Sequence, residues 1–241
     1  DFNGQGVKNA VHTLLQNIGS SATSLANGIS GLNALSNNLS STGITGTTQD
    51  YLANALVFVD ENRDDKFNLN EWHSSTGSNG TFEIPNNIGS GKIIVYGGTD
   101  LMTGNVYQGV LSSPTGTTLV NPFTTIIESM VEQDQVNTVF EATTAMKSTL
   151  VLPDNINLLS YKPLNVLAST TASPEEKLVA LRALAISEEI SNVITQISSV
   201  IDNATVGVSL ESAAAAVSII LSQAIADGSL NLASPASLGQ I

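Results

Sequence analysis

The chain predicts an α+β protein: a long N-terminal helix, a small antiparallel β-sandwich and a C-terminal helical bundle. Three observations carry this. A charge-free stretch from Asn9 to Gln49 has a seven-residue apolar step, short β-branched runs separated by turn signals continue to about residue 120, and a helical period takes over at Pro122. The 241 residues divide accordingly into 1–48 (helix), 49–120 (sandwich), 121–228 (bundle) and 229–241 (tail).

From Asn9 to Gln49 there is no Asp, Glu, Lys or Arg. Apolar residues recur at Val11, Ile18, Leu25, Leu32 and Leu39, with Leu15, Ala22 and Ile29 four residues after the first three. That is a helical stripe of coiled-coil-like period, about 50 Å long at 1.5 Å per residue. Gly19, Gly28 and Gly31 lower its intrinsic helicity by about 1 kcal/mol each. A lone helix of this composition does not persist in water, so the expectation is that it packs on its own domain or on a neighbouring subunit.

The sandwich begins with Ala55-Leu56-Val57-Phe58-Val59, a continuous apolar run that reads as a buried strand. The twelve residues after it, Asp60 to Glu71, read DENRDDKFNLNE. They place side-chain oxygens at loop positions 1, 3, 5, 9 and 12, which are Asp60, Asn62, Asp64, Asn68 and Glu71, and the Lys66 carbonyl at position 7. This is the ligand order of a calcium loop, with the apolar residue such loops use at position 8, Phe67. Asp65 stands at position 6, where the turn favours glycine. Five carboxylates (Asp60, Glu61, Asp64, Asp65, Glu71) crowd into the segment and repel one another unless a cation intervenes. The alternative is a polar turn between strands. A helix does not precede the loop, so it is not an EF-hand. Further strands are expected over Thr76–Pro85, after an Asn79-Gly80 turn signal, over Lys92–Tyr96 and over Asn105–Leu111.

Asn121-Pro122-Phe123 opens a helix with Ile126, Ile127, Met130 and Val131 inward, and Val136 to Leu150 gives a second. Ser173-Pro174-Glu175-Glu176 is a capping box with proline at the first helical position. The helix it starts carries Val179, Ala183, Ile186, Ile190, Val193, Ile197 and Val200 on one stripe. A last helix from about Ser209 to Ala226 is expected to bury Leu210, Ala213, Val217, Ile220, Leu221 and Ala224 and to stop at Asp227-Gly228.

Net charge is −13 with eight Lys and Arg, which argues against nucleic acid or an anionic membrane surface as partner. Cysteine is absent, so disulfides and cysteine-ligated zinc are excluded. No apolar run is long enough to span a membrane. No signal peptide is visible from Asp1 onward; export would rely on a removed leader or on a signal outside this sequence. Catalytic motifs are missing: no G-x-S-x-G, H-E-x-x-H or phosphate-binding loop occurs, and no catalytic residue is expected. His12 belongs to the polar flank of the first helix, and His73 follows Trp72 at the loop exit, where it is expected to pack against the loop.

Five segments carry a family resemblance. Val57 to Asp64, Gly80-Thr81-Phe82, Gly97-Gly98-Thr99-Asp100-Leu101-Met102-Thr103-Gly104, Gly109 to Pro114 and Val120-Asn121-Pro122-Phe123-Thr124-Thr125-Ile126 resemble a module of large secreted bacterial surface proteins. Those include repeat-rich adhesins and hemolysin-type calcium-binding proteins exported by type I systems. The resemblance spans about residues 55 to 130 and implies a prealbumin-like or collagen-binding-B-like sandwich, with Ca2+ as a structural stabiliser and no enzymatic activity. Asp65 departs from the Gly or Asn usual there.

The expected function is therefore a secreted, cell-surface structural protein that self-assembles into a filament, matrix or surface layer, with Asp60, Asn62, Asp64, Lys66, Asn68 and Glu71 as metal ligands. Its partner would be further copies of the chain, a homo-oligomer or polymer. The alternative is an adhesin module that binds a glycan or host surface, although one Trp and four Tyr give it little aromatic material.

Overall fold

A computed structural model describes residues 44–48, 52–85, 88 and 90–229. The expected N-terminal helix and the tail beyond Ser229 lie outside the described residues, as does His12.

Among the described residues nine strands precede five helices, a mixed α+β arrangement: β1 Ile44–Thr48, β2 Leu52–Ala53, β3 Leu56–Asp60, β4 His73–Ser75, β5 Thr81–Ile84, β6 Lys92–Tyr96, β7 Thr99–Asp100, β8 Val110–Ser113 and β9 Leu119–Val120, then α1 Pro122–Glu132, α2 Val139–Thr149, α3 Pro163–Ala168, α4 Pro174–Ala204 and α5 Leu210–Ala226. The central sheet is antiparallel, in the order β4-β3-β6-β8. A second sheet, β5-β1-β9, pairs β1 antiparallel to β5 and parallel to β9. The β-layer is thus not purely antiparallel. Ile44–Thr48, read from sequence as the end of the N-terminal segment, is the middle strand of this second sheet.

The unbroken apolar run of β3 follows from where the central sheet sits. Successive side chains of a strand point to opposite faces. Val57 and Val59, with Ile93, Val95 and Leu111, join Phe82, Ile84 and Val120 in one core. Phe58, Ile94 and Val110 join Phe123, Ile126, Met130, Ile190 and Val217 of the helices in the other. A sheet covered on both faces needs apolar residues at consecutive positions rather than at alternate ones.

Asn121 caps α1: its side-chain oxygen accepts from Thr124 N–H at 2.8 Å, and Thr124 Oγ1 accepts from Asn121 N–H at 2.9 Å. Thr124 Oγ1 also donates to the Ser112 carbonyl at 2.8 Å, and Ser112 N–H donates to Thr125 Oγ1 at 2.9 Å, so the same residues stitch the helix to β8. In α4 the Ser173–Glu176 capping box forms as the sequence reads. The buried seam of α4 runs Ala183, Ile186, Ile190, Ile194 and Ser198. Val200 is consequently exposed, as is Ile220 of α5, and both depart from the expected stripes. The seam advances by fours after Ile190, which rotates it away from the three-residue step from Ile197 to Val200. Asn105 to Gly109 are not a strand; Val106 makes only a single bridge to Thr99, and β8 starts at Val110.

Candidate calcium loop and the buried charge cluster behind it

Asp60 ends β3, fully buried, and Glu71 returns the chain next to it. The loop between them is organised by its acidic side chains. Asp60 Oδ1 accepts from Asp64 N–H at 3.2 Å, and Asp60 Oδ2 accepts from Asp65 N–H at 3.0 Å. Glu71 Oε1 and Oε2 accept from Glu61 N–H and Asn68 N–H, at 3.2 and 3.1 Å, so the last loop residue closes on the second and the ninth. Asp64 Oδ1 accepts from Lys66 N–H at 3.0 Å. Asn62 Nδ2 donates to Asp64 Oδ2 at 3.1 Å, and Asn68 Nδ2 reaches both Asp64 oxygens, at 3.3 and 3.2 Å, and the Lys66 carbonyl at 3.2 Å. Burial is the largest single influence on the Asp64 carboxyl and raises it, but the hydrogen bonds from Asn68, Asn62 and Lys66 N–H and the Lys66 charge together outweigh burial and hold the carboxyl below its ordinary value.

Five of the six expected ligands, Asn62, Asp64, Lys66, Asn68 and Glu71, are thereby in one hydrogen-bonded set, with Asp60 joined through Asp64 N–H. The donor set is all oxygen once the two amides turn, three carboxylates, two amides and one carbonyl, which is the chemistry of a hard cation. Among the described residues no group of three or more His, Cys, Asp or Glu is gathered as a metal centre, and the loop would rely on its amide and carbonyl oxygens as well.

The position-6 residue takes the conformation the turn requires. Asp65 has φ 55°, a left-handed backbone that Asp tolerates better than most residues. Phe67, at position 8, anchors the loop edge-on to Phe58 of the core, ring centroids 5.5 Å apart, and also meets His73 edge-on, centroids 5.0 Å apart, while His73 Nδ1 lies 2.9 Å from the Glu71 carbonyl.

Lys92 was not singled out from sequence, and it reorganises the reading of the loop. It is the register partner of Asp60 across β3 and β6, is 3% exposed, and touches Asp65 Oδ1 while lying 2.7 Å from Glu132 Oε2 and 4.0 Å from Asp60 Oδ2. A cation therefore does stand between two of the crowded carboxylates, and it is a lysine. Burial alone would lower the Lys92 ammonium, but its pairing with Asp65 and Glu132 outweighs this and raises it. Burial raises Asp65 despite Lys92, and burial together with Glu132 raises Glu128 despite Lys92 and Arg63. Arg63, half exposed, reaches Glu128 at 3.6 Å and Glu132 at 3.5 Å from above. The only sequence signal was a lysine directly before an Ile-Ile-Val run, and a glutamate on the inward side of α1.

The Gly97–Gly104 segment of the family resemblance turns at the end of β7. Asp100 Oδ1 accepts from Met102 N–H at 2.7 Å, its Oδ2 accepts from Thr103 Oγ1 at 2.7 Å, and Gly104 N–H returns to the Asp100 carbonyl at 2.8 Å. These residues hold each other.

Comparison with protein-family models, with characterised proteins and with solved structures finds no match for the chain. Among the described residues no helix is long and apolar enough to cross a membrane.

Proposed function

We propose that the chain is a non-enzymatic structural module of an extracellular bacterial surface protein, stabilised by one Ca2+ in the Asp60–Glu71 loop and assembling with copies of itself. The observation that supports it is the loop: Asp60 and Glu71 close its ends while Asn62, Asn68 and the Lys66 N–H converge on Asp64, and Asn68 also reaches the Lys66 carbonyl. Calcium there would replace the two amide N–H donors with a divalent charge and tie β3 to the segment leading into β4. Its role would be mechanical, because an oxygen-bound Ca2+ acidifies water far less than zinc does. Exposed apolar side chains such as Phe140 on α2 and Leu178 on α4, together with the uncharged residues 9–49, supply material for contacts between copies.

Thermal unfolding with calcium and with chelator tests the metal. Selective binding to the folded state stabilises it by about 2.7 kcal/mol at a hundredfold excess over Kd. Asp64→Asn combined with Glu71→Gln, which spares the Asp60–Lys92 pair, should abolish that gain. An equal melting temperature in both conditions removes calcium from the reading. Light scattering of the full chain over a range of concentration tests assembly, and a strict monomer with and without calcium defeats it.

A further inference from the structure

The segment 153–162, α3 and the first turns of α4 enclose a groove of about 570 Å3, within the size range of small-ligand sites and separate from the calcium loop. Ile156 and Val179 give it an apolar lining, and Tyr161, partly buried against the helical core, adds an aromatic ring. Its lining includes three asparagines, Asn155, Asn157 and Asn165, each with an amide that can both donate and accept. Asn157 is held in place, its Oδ1 accepting from Leu159 N–H at 3.1 Å.

Charge decides what such a groove favours. Lys162 and Glu175 offset one another, and Glu176 is committed to the cap of α4, its Oε2 accepting from Ser173 N–H at 2.7 Å. The positive end of the α4 dipole is thus already answered by two carboxylates in its first turn, and a net charge of −13 repels anions further. Peptide capture by strand addition needs an open sheet edge, and capture of a helix needs a continuous apolar trough; loop and helix walls lined with amides provide neither. We propose that this groove binds a neutral carbohydrate, a short oligosaccharide whose hydroxyls pair with the asparagines and whose ring faces lie on Tyr161. This goes beyond the structural role proposed above and does not depend on calcium.

The test is an NMR titration of the isotope-labelled full chain with neutral hexasaccharides of glucose, mannose, galactose and N-acetylglucosamine, beside a sulfated hexasaccharide and a pool of unstructured peptides. At least one neutral sugar should shift the amide signals of residues 153–166 and 175–179 and saturate. Tyr161→Ala should weaken that binding about five- to tenfold, and Tyr161→Phe should largely preserve it. Absence of saturable shifts with every neutral sugar overturns the proposal. So does stronger binding of the sulfated sugar or peptides at these residues, or an affinity indifferent to Tyr161→Ala in a variant whose spectrum shows it folded.

Discussion

Asp60 and Lys92 face each other across the β3–β6 ladder, both essentially inaccessible, with Oδ2 and Nζ 4.0 Å apart. The pair is the inner end of a charge relay that continues through Asp65 and Glu132 and, on the solvent side, through Arg63 to Glu128. It joins the loop to α1 without any metal.

Removing the lysine leaves buried carboxylates uncompensated. Lys92→Met should destabilise the fold by about 3–5 kcal/mol, the usual consequence of breaking one side of a buried pair. Adding Asp65→Asn to that variant should restore part of the loss, because one of the orphaned charges is gone. Urea unfolding of the parent, single and double variants in chelator measures both steps; a Lys92→Met loss under about 1 kcal/mol contradicts the assignment.

Asp65→Gly separates backbone from charge. Glycine would relieve a left-handed conformation that costs an ordinary residue about 1–2 kcal/mol, yet it would also take a carboxylate away from Lys92. Because charged hydrogen bonds contribute about 1.5–3 kcal/mol, the balance should fall on the side of destabilisation, by about 1 kcal/mol in the absence of calcium. A more stable glycine variant would show that Glu132 alone satisfies the ammonium.

Stability should also respond to pH in a defined direction. Burial raises the carboxyls of Asp65 and Glu128 above their ordinary values of 3.8 and 4.5. The native state then keeps protons that the unfolded chain has released, so the contribution is fully present below those ordinary values and is lost as pH rises through the raised ones. Lys92 acts at the other end: its contribution is present below 10.5 and lost as pH climbs through its own raised value. Unfolding measured across the acidic to neutral range in chelator should show a decline that Glu128→Gln makes shallower. Parallel curves for parent and variant would refute it.

The parts of the fold legible in the sequence were those with a local cause. The β3 run, the Ser173 capping box and the oxygen spacing of residues 60–71 each rest on neighbouring residues. β1 was missed because Ile44-Thr45-Gly46-Thr47-Thr48 has little apolar signal of its own and is a strand by virtue of pairing with residues 81–84 and 119–120. α3, six residues long, was missed for want of a period to read. Lys92 escaped notice for the same reason as β1: that Asp60 sits opposite it is a property of register between segments thirty-two residues apart. The oxygen-rich composition of the loop could be read from spacing, whereas the lysine built into its base could not.

The cap of α1 gives a further test, since Asn121 is fully buried and serves both the helix end and the Thr124 link to β8. Asn121→Ala should destabilise by about 1–2 kcal/mol, at the upper end of the range for lost caps. Asn121→Ser, which keeps a short acceptor, should recover most of it. Chemical unfolding reads the difference, and equal losses for the two variants would mean that packing rather than capping matters at this position.

Two adjacent glycines separate conformational need from space. Gly97 and Gly98 both have positive φ, 69° and 85°. A Cβ on Gly97 would meet nothing within 4 Å, but one on Gly98 would fall 2.6 Å from the Ala53 carbonyl oxygen and 2.7 Å from Ala55 N, backbone atoms that β2 and β3 hold in place. Gly97→Ala should therefore cost about 1–2 kcal/mol, the left-handed penalty alone. Gly98→Ala adds a clash that backbone movement must relieve and should cost at least about 3 kcal/mol, among the large single-residue losses. If thermal unfolding finds the two variants equally destabilised, the close approach of Gly98 to the β2–β3 connection is not what demands glycine there, and the Gly-Gly pair is explained by its backbone angles only.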